Sequence, residues 1–211
     1  VQDQAFTDDF RTQFDLLMRL RRDVRRFRTD AIDEAVLMRC LDAFRLAPSV
    51  GLSEPWRVIR VESDAARAAA LENFQAANAK ALAGYSGEKA RLYSTLKLSG
   101  MQEAPVQLAV FCDDATDKGL GLGAGTMPET RRYSVVSAIT LFWLALRIEG
   151  LGLGWVSILD PDRMARDLNV SQDWHLIGYF CVGWPEVQSD TPELEQVGWE
   201  CRDETLPVKV R

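Results

Sequence analysis

The amino-acid sequence predicts an α+β fold, and three observations carry that prediction. Two helical stretches precede the first strand, the later helices and strands do not form a regular βαβ series, and the chain has the length of one domain. It contains 211 residues, of which 47% are apolar and 27% charged, enough to bury a core without disulfides or a structural metal. A doubly wound dinucleotide-binding sheet is disfavoured by the same order of elements.

Phe10, Phe14 and Leu17 recur with helical spacing and predict an amphipathic helix over 8–20. Val36, Leu37, Cys40, Leu41 and Phe44 mark a second helix, with Asp33 as N-cap and Pro48 as its stop. The turn-rich segment 49–55 leads into a strand over 57–61. An Ala-rich helix over 65–83 and another over 88–101 flank a break at Gly84-Tyr85-Ser86-Gly87. Residues 106–112 are mostly Val, Leu, Ala and Phe and read as a buried strand. A glycine-rich loop over 119–125 precedes Pro128, suited to the first turn of a helix that runs to about Glu149. Gly150, Gly152 and Gly154 then lead into a strand over 155–159, a short helix over 162–168 and a last strand over 176–182. The polar tail from 185 keeps Trp199, Leu206, Val208 and Val210, apolar groups that need another surface, for which a partner subunit is the expectation.

Charge and motif counts exclude several functions. Twenty-five Lys and Arg against 31 Asp and Glu give a net charge of −6, which argues against a general nucleic-acid binder. The longest uncharged run, 133–146, is 14 residues, too short to span a bilayer, and it carries Ser134, Ser137 and Thr140. The first residues are mixed polar, with Asp3, Asp8 and Asp9, and do not read as a secretory signal. Cys40, Cys112, Cys181 and Cys201 form no CxxC pair, and His175 is the one imidazole, so no metal site is expected. The cysteines read as reduced core residues of a cytoplasmic protein. The glycine loop does not complete GxGxxG, no P-loop is present, and His175, flanked by Trp174 and Leu176, reads as packing rather than as a triad member. The pair Asp113-Asp114 shows no acid–base pattern.

What remains is the run Arg21-Arg22-Asp23-Val24-Arg25-Arg26-Phe27-Arg28, with five arginines in eight residues. Cations at a helix C-terminus interact with its dipole, but this density exceeds capping and points to phosphate, which guanidinium groups bind in bidentate fashion. Asp23 lies amid that charge and is expected to ionise readily, with a lowered pKa.

The segment Arg21-Arg22-Asp23-Val24-Arg25-Arg26-Phe27, followed by Ala47-Pro48-Ser49-Val50-Gly51-Leu52-Ser53-Glu54-Pro55-Trp56-Arg57, resembles the start of the FMN-binding nitroreductase-fold family. The family pattern is close to RRSxRxF followed by APSxxNxQPW. Asp23 stands where Ser is usual and Leu52 where Asn is usual, departures that match the family's 5,6-dimethylbenzimidazole synthase branch. Further similar blocks are Tyr93 to Gly100, Glu103 to Cys112, Thr126-Met127-Pro128-Glu129 and Gly152 to Pro161, so the resemblance covers about 17–184.

The resemblance implies one nitroreductase-like domain over 1–211, with a core over about 8–184 and a mostly antiparallel central sheet packed with helices. It implies a homodimer with FMN at the subunit interface and a C-terminal tail, 185–211, exchanged onto the partner. It assigns Arg21, Arg22, Arg25, Ser49, Lys97, Leu98 and Arg202 to FMN binding, and Asp23 and Ser157 to catalysis, Asp23 as proton acceptor and Ser157 on the oxygen or N5 side of the flavin. The implied reaction consumes reduced FMN and O2, turns ribityl C1′ into C2 of 5,6-dimethylbenzimidazole and leaves erythrose 4-phosphate. A separate flavin reductase would supply reduced FMN, and neither nucleic acid nor membrane would be a partner. Leu52 would give the flavin an apolar cover, and residues 76–98 a lid. Trp56, Trp155 and Trp184 read as core packing ahead of flavin stacking. A conventional NAD(P)H-dependent FMN oxidoreductase, a reductive dehalogenase of the same fold and a flavin-storage protein stay open as alternatives.

Overall fold

A computed structural model describes residues 6–211. Among them the order is α1 (Asp8–Leu20), α2 (Glu34–Leu41), β1 (Trp56–Arg60), α3 (Asp64–Leu82), α4 (Gly87–Thr95), β2 (Val106–Asp113), α5 (Thr130–Ile148), β3 (Gly152–Val156), α6 (Pro161–Asp167), β4 (Trp174–Gly183) and α7 (Glu193–Gln196). Asp33 caps α2 as its spacing predicts, accepting from the amides of Ala35 at 2.8 Å and Val36 at 3.2 Å.

The strands form one sheet in the order β1-β2-β4-β3, with every pairing antiparallel. Both faces of β2 are covered, which is why its sequence reads as an unbroken apolar run. Leu108, Val110 and Cys112 pack with Leu37, Phe44 and Phe142 on the side of α2 and α5. Ala109 and Phe111 pack with Phe74, Met164 and Tyr179 on the side of α3 and α6. Gln107 is the polar interruption, and both ends of its amide are satisfied: it donates to Met101 O at 2.7 Å and accepts from the Tyr179 hydroxyl at 2.6 Å.

Helix α5 carries the long uncharged run against this sheet, burying Val135, Ala138, Ile139, Phe142 and Leu146. Its spacing is that of a helix with one face in the core, as expected. Helix α1 is amphipathic but has no buried residue. Phe10, Phe14, Leu17 and Leu20 instead form an open apolar groove of about 620 Å3 with Leu46, Leu141, Leu144 and Ile148. No helix among the described residues is long and apolar enough to cross a membrane.

Several expected boundaries move. The second helix tightens into a 3₁₀ turn at Asp42–Leu46 before Pro48. Helix α4 ends at Thr95 rather than near Met101, which leaves 96–100 outside any helix or strand. Pro128 lies ahead of α5, in the turn that precedes it, rather than in its first turn. The third strand begins at Gly152, three residues before the expected start, because its glycines are part of the strand. Cys40, Cys112 and Cys181 are buried, but Cys201 is exposed in the tail, so it is not a core residue. His175 is exposed on β4 rather than packed in the core.

Candidate functional site

The arginine segment is fixed to the free edge of the sheet. β3 is an edge strand, and Asp23 bridges Leu153 in parallel register, with the Val24 amide donating to Leu153 O at 3.0 Å. The open edge is thereby covered. The approach is close enough to require glycine on β3: a Cβ at Gly154 would stand 2.1 Å from the Val24 carbonyl oxygen, and one at Gly152 would stand 2.6 Å from a Val24 methyl. Glycine spacing in one part of the sequence and the arginine run in another are thus two sides of one contact.

Beyond this edge opens a cavity of about 630 Å3, bounded by Arg21, Arg22, Asp23 and Arg25 on one side and by Asp190, Glu193 and Arg202 on the other. Its volume lies within the ~300–1,000 Å3 typical of small-ligand sites. Sequence reasoning grouped Arg202 with the early arginines across 177 positions of chain (202 − 25), and the structure brings them to one cavity. A second cavity, of about 800 Å3, is lined by Asp114, Arg132, Arg166, Asp173 and His175 and contains none of the predicted site residues.

The arginines have separate tasks. Arg21 lies over the Trp143 ring, 4.5 Å from its centroid. Arg22 donates from Nε to Asp190 O at 3.0 Å and from a terminal nitrogen to Arg21 O at 2.6 Å. Burial first, and then the charges of Arg202 and Arg21, hold the Arg22 guanidinium below its ordinary pKa. Arg25 donates through Nε to Asp23 Oδ2 at 3.0 Å and through a terminal nitrogen to Lys97 O at 3.4 Å. Arg26 pairs with Glu193.

Asp23 accepts a second hydrogen bond at Oδ1, from the Trp155 amide at 2.8 Å. The expected lowering of its pKa does not occur. Burial outweighs the Trp155 amide, Arg25 and Arg21, and pushes the carboxyl above its ordinary value. The reason is the division of labour above: Arg25 alone among the arginines bonds to Asp23, while Arg22 and Arg26 turn to the tail. The result is a carboxylate fixed at both oxygens, with 31% of its side chain still open and a basicity greater than that of a free aspartate.

The other predicted residues fall in different places. Lys97 contributes its carbonyl to Arg25, while its ammonium pairs with Glu103. Leu98 packs partly buried against the core on the α3 side. Ser49 does not line the cavity; its hydroxyl accepts from the Glu54 amide at 3.1 Å. Ser157 follows directly after β3, exposed, and does not line the cavity either. Leu52 is 75% exposed in a left-handed conformation with φ 55°. Trp56, Trp155 and Trp184 are partly buried against the α5-side core, as expected. Asp113 and Asp114 pair with Arg57 and Arg132, each at 2.6–2.7 Å.

Sequence reasoning named Arg202 but missed how the rest of the tail is held beside the site. Residues 184–186 run antiparallel to 26–28, with the Arg28 amide donating to Trp184 O at 2.9 Å and the Glu186 amide to Arg26 O at 3.1 Å. Glu195 then pairs with Arg202, and Trp199 packs on Tyr85 and Tyr93 with ring centroids 5.6 and 6.1 Å away. Up to 202 these contacts lie within one chain, and beyond them Leu206, Val208 and Val210 are exposed. The available signal was the acidic spacing Glu193, Glu195 beside a chain rich in early arginines.

Comparison with known proteins places this geometry. The Nitroreductase family matches residues 18–184. The 5,6-dimethylbenzimidazole synthase of Rhodospirillum rubrum is 52% identical over 197 residues, covering 93% of each chain. A protein of the same name from Rhodobacter capsulatus is 50% identical over 193 residues, covering 92% of each. Among solved structures, oxidized iodotyrosine deiodinase bound to FMN and 3-iodo-L-tyrosine superposes with a TM-score of 0.71 at 22% identity, covering 94% of this chain and 97% of that one. At that identity the likeness speaks for the fold.

Proposed function

The chain belongs to the Nitroreductase family, and from that premise we propose that it is a 5,6-dimethylbenzimidazole synthase, consuming reduced FMN and O2 to make the lower ligand of cobalamin. Two synthases at 52% and 50% identity over nearly the whole chain support this reading. The single observation that carries it is Asp23, a carboxylate with raised basicity inside an arginine-lined cavity. The charge of an anion placed there opposes phosphate binding.

The residues present fit FMN. Arg21, Arg25 and Arg202 offer the planar donors that a phosphate takes, with Arg22 adding charge behind them. The Lys97 carbonyl keeps Arg25 in place. When bound in reduced form, FMN supplies both the electrons for O2 and the carbon skeleton of the product. Asp23 is the proton acceptor for ribityl C1′: its Oδ1 and Oδ2 are oriented by the Trp155 amide and Arg25, and burial makes it the stronger base. Packing of α4 and the turn before it against the tail, through Tyr93, Tyr85 and Trp199, supports α4 as a cover that excludes water.

The assembly belongs to the same proposal. The apolar groove between α1 and α5 is the face for a second copy of the chain, and Ser49, Ser157 and Leu52, outside the cavity of their own protomer, act with FMN in that dimer. A flavin reductase supplies reduced FMN, and the setting is the cytoplasm. Incubation of the protein with reduced FMN in air tests the reading. Formation of 5,6-dimethylbenzimidazole, identified by fluorescence and mass, is expected. Return of all the FMN in oxidised, intact form would point instead to a flavin-recycling oxidoreductase.

A further inference from the structure

Arg202 is held in an unusual way for a tail residue. Its side chain is 60% exposed, and an isolated surface ion pair fixes such a group weakly. Glu195, however, grips it at two levels. One oxygen, Oε2, accepts from Nε at 3.1 Å and lies 3.1 Å from a terminal nitrogen of the guanidinium as an ion pair, and the other, Oε1, accepts from the Arg202 backbone amide at 3.4 Å. The contact takes the Nε edge of the guanidinium and leaves its terminal edge for another acceptor. Arg202 lines the cavity together with Arg21, Arg22 and Arg25.

Glu195 is itself on a firm base. The Gln196 side chain donates from Nε2 to Ser189 Oγ at 2.7 Å and Thr191 O at 3.0 Å, and the Trp199 backbone amide donates to Leu194 O at 2.8 Å. These bonds knot 189–199 around α7. On one side Arg26 pairs with Glu193, and on the other Trp199 rests on Tyr85 and Tyr93.

We propose that Glu195 is a positioning residue that presents the terminal edge of Arg202 to the phosphate of the ligand, so that the α7 knot completes the phosphate clamp begun by Arg21 and Arg25. Its negative charge taken alone would weaken anion binding. Orientation outweighs that charge because a guanidinium fixed along one edge loses little freedom when the other edge is engaged. This inference rests on the reading of the cavity as an FMN site.

The test compares binding of FMN with that of riboflavin, which lacks the phosphate, by flavin fluorescence under conditions where no turnover occurs. Glu195→Ala is expected to weaken FMN binding about tenfold, the scale of one charge-assisted hydrogen bond, and to leave riboflavin unchanged. Glu195→Gln, which keeps the acceptor oxygen, is expected to restore most of the loss. In an Arg202→Ala background, Glu195→Ala should have no further effect. Tighter FMN binding by Glu195→Ala would overturn the proposal, since Glu195 would then be a competing anion. An equal loss for FMN and riboflavin would overturn it too, as would a wild-type protein that binds both alike. The expected pattern in a protein that forms no 5,6-dimethylbenzimidazole would retain the clamp and reject the synthase reading.

Discussion

The two walls of the cavity are built differently. The wall formed by 21–25 is joined to the sheet: Val24 bonds to the backbone of β3, Asp23 to the Trp155 amide, and Gly152 and Gly154 clear the space between them. The wall formed by 190–202 is a short knot held by side-chain ion pairs, Arg26 with Glu193 and Arg202 with Glu195, and by Trp199 on Tyr93 of α4. The first is set by the backbone and is as rigid as the sheet, which suits a base that must stand at a fixed atom. The second depends on charges that water and salt can reach, which suits a clamp that must admit and release a ligand. Basicity and chemistry should therefore track the first wall, and affinity for the phosphate the second.

The largest expected effect falls on the fixed wall. Asp23→Asn should lower product formation about 10²–10⁴-fold, the usual contribution of a general base, while FMN titration shows little change in affinity. A comparable fall in both would move Asp23 from chemistry to binding. Because the folded carboxyl titrates above its ordinary value, activity in the wild type should be lost as pH falls through that raised value. Stability follows the opposite sense: the folded protein holds the Asp23 proton more tightly than the unfolded chain does, so stability associated with this group declines as pH rises through the folded pKa.

Next in size is Gly154→Ala, which places a methyl group against the Val24 carbonyl. It should cost about 1–3 kcal/mol in urea unfolding, as overpacking usually does. It should also reduce product formation, because Asp23 moves with Val24. Full stability in this variant would show that the contact between the walls of glycine and arginine is not tight.

The tail wall should respond to milder treatment. Raising salt is expected to weaken FMN binding several-fold as surface charges are screened over the ~10 Å scale of 0.1 M salt, with little change for riboflavin. Equal salt dependence for both flavins would remove the phosphate from the account.

The smallest effect concerns the thiols. Only Cys201 is exposed, and burial pushes Cys112 and Cys181 up to about 12. A thiol reagent at neutral pH should modify one of the four cysteines in the folded protein and the remaining three after denaturation. Rapid modification of a second would show that the core opens locally.

Much of the fold was legible because its signals are local. The buried run of β2, the amphipathic spacing of α1 and the Asp33 cap each report on a few neighbouring residues. The start of β3 was not legible, since Gly152 and Gly154 look like turn residues until the Val24 backbone is seen against them. The members of the site were read through family resemblance, and Arg202 lines one cavity with Arg21, Arg22 and Arg25. The pKa of Asp23 was read in the wrong direction, because composition counts neighbouring charges and does not show that two of those arginines face the tail. Glu195 escaped notice because an ion pair seven positions along a polar tail has no pattern that distinguishes it from ordinary surface charge.

The central claim is that the flavin held here is consumed rather than recycled, and isotope tracing examines it most directly. FMN carrying ¹³C at ribityl C1′ is reduced, mixed with the protein and exposed to air, and the products are analysed by mass and carbon NMR. The account predicts 5,6-dimethylbenzimidazole with the label at C2 and a matching loss of FMN. Recovery of the labelled FMN intact, with no benzimidazole formed, would contradict it.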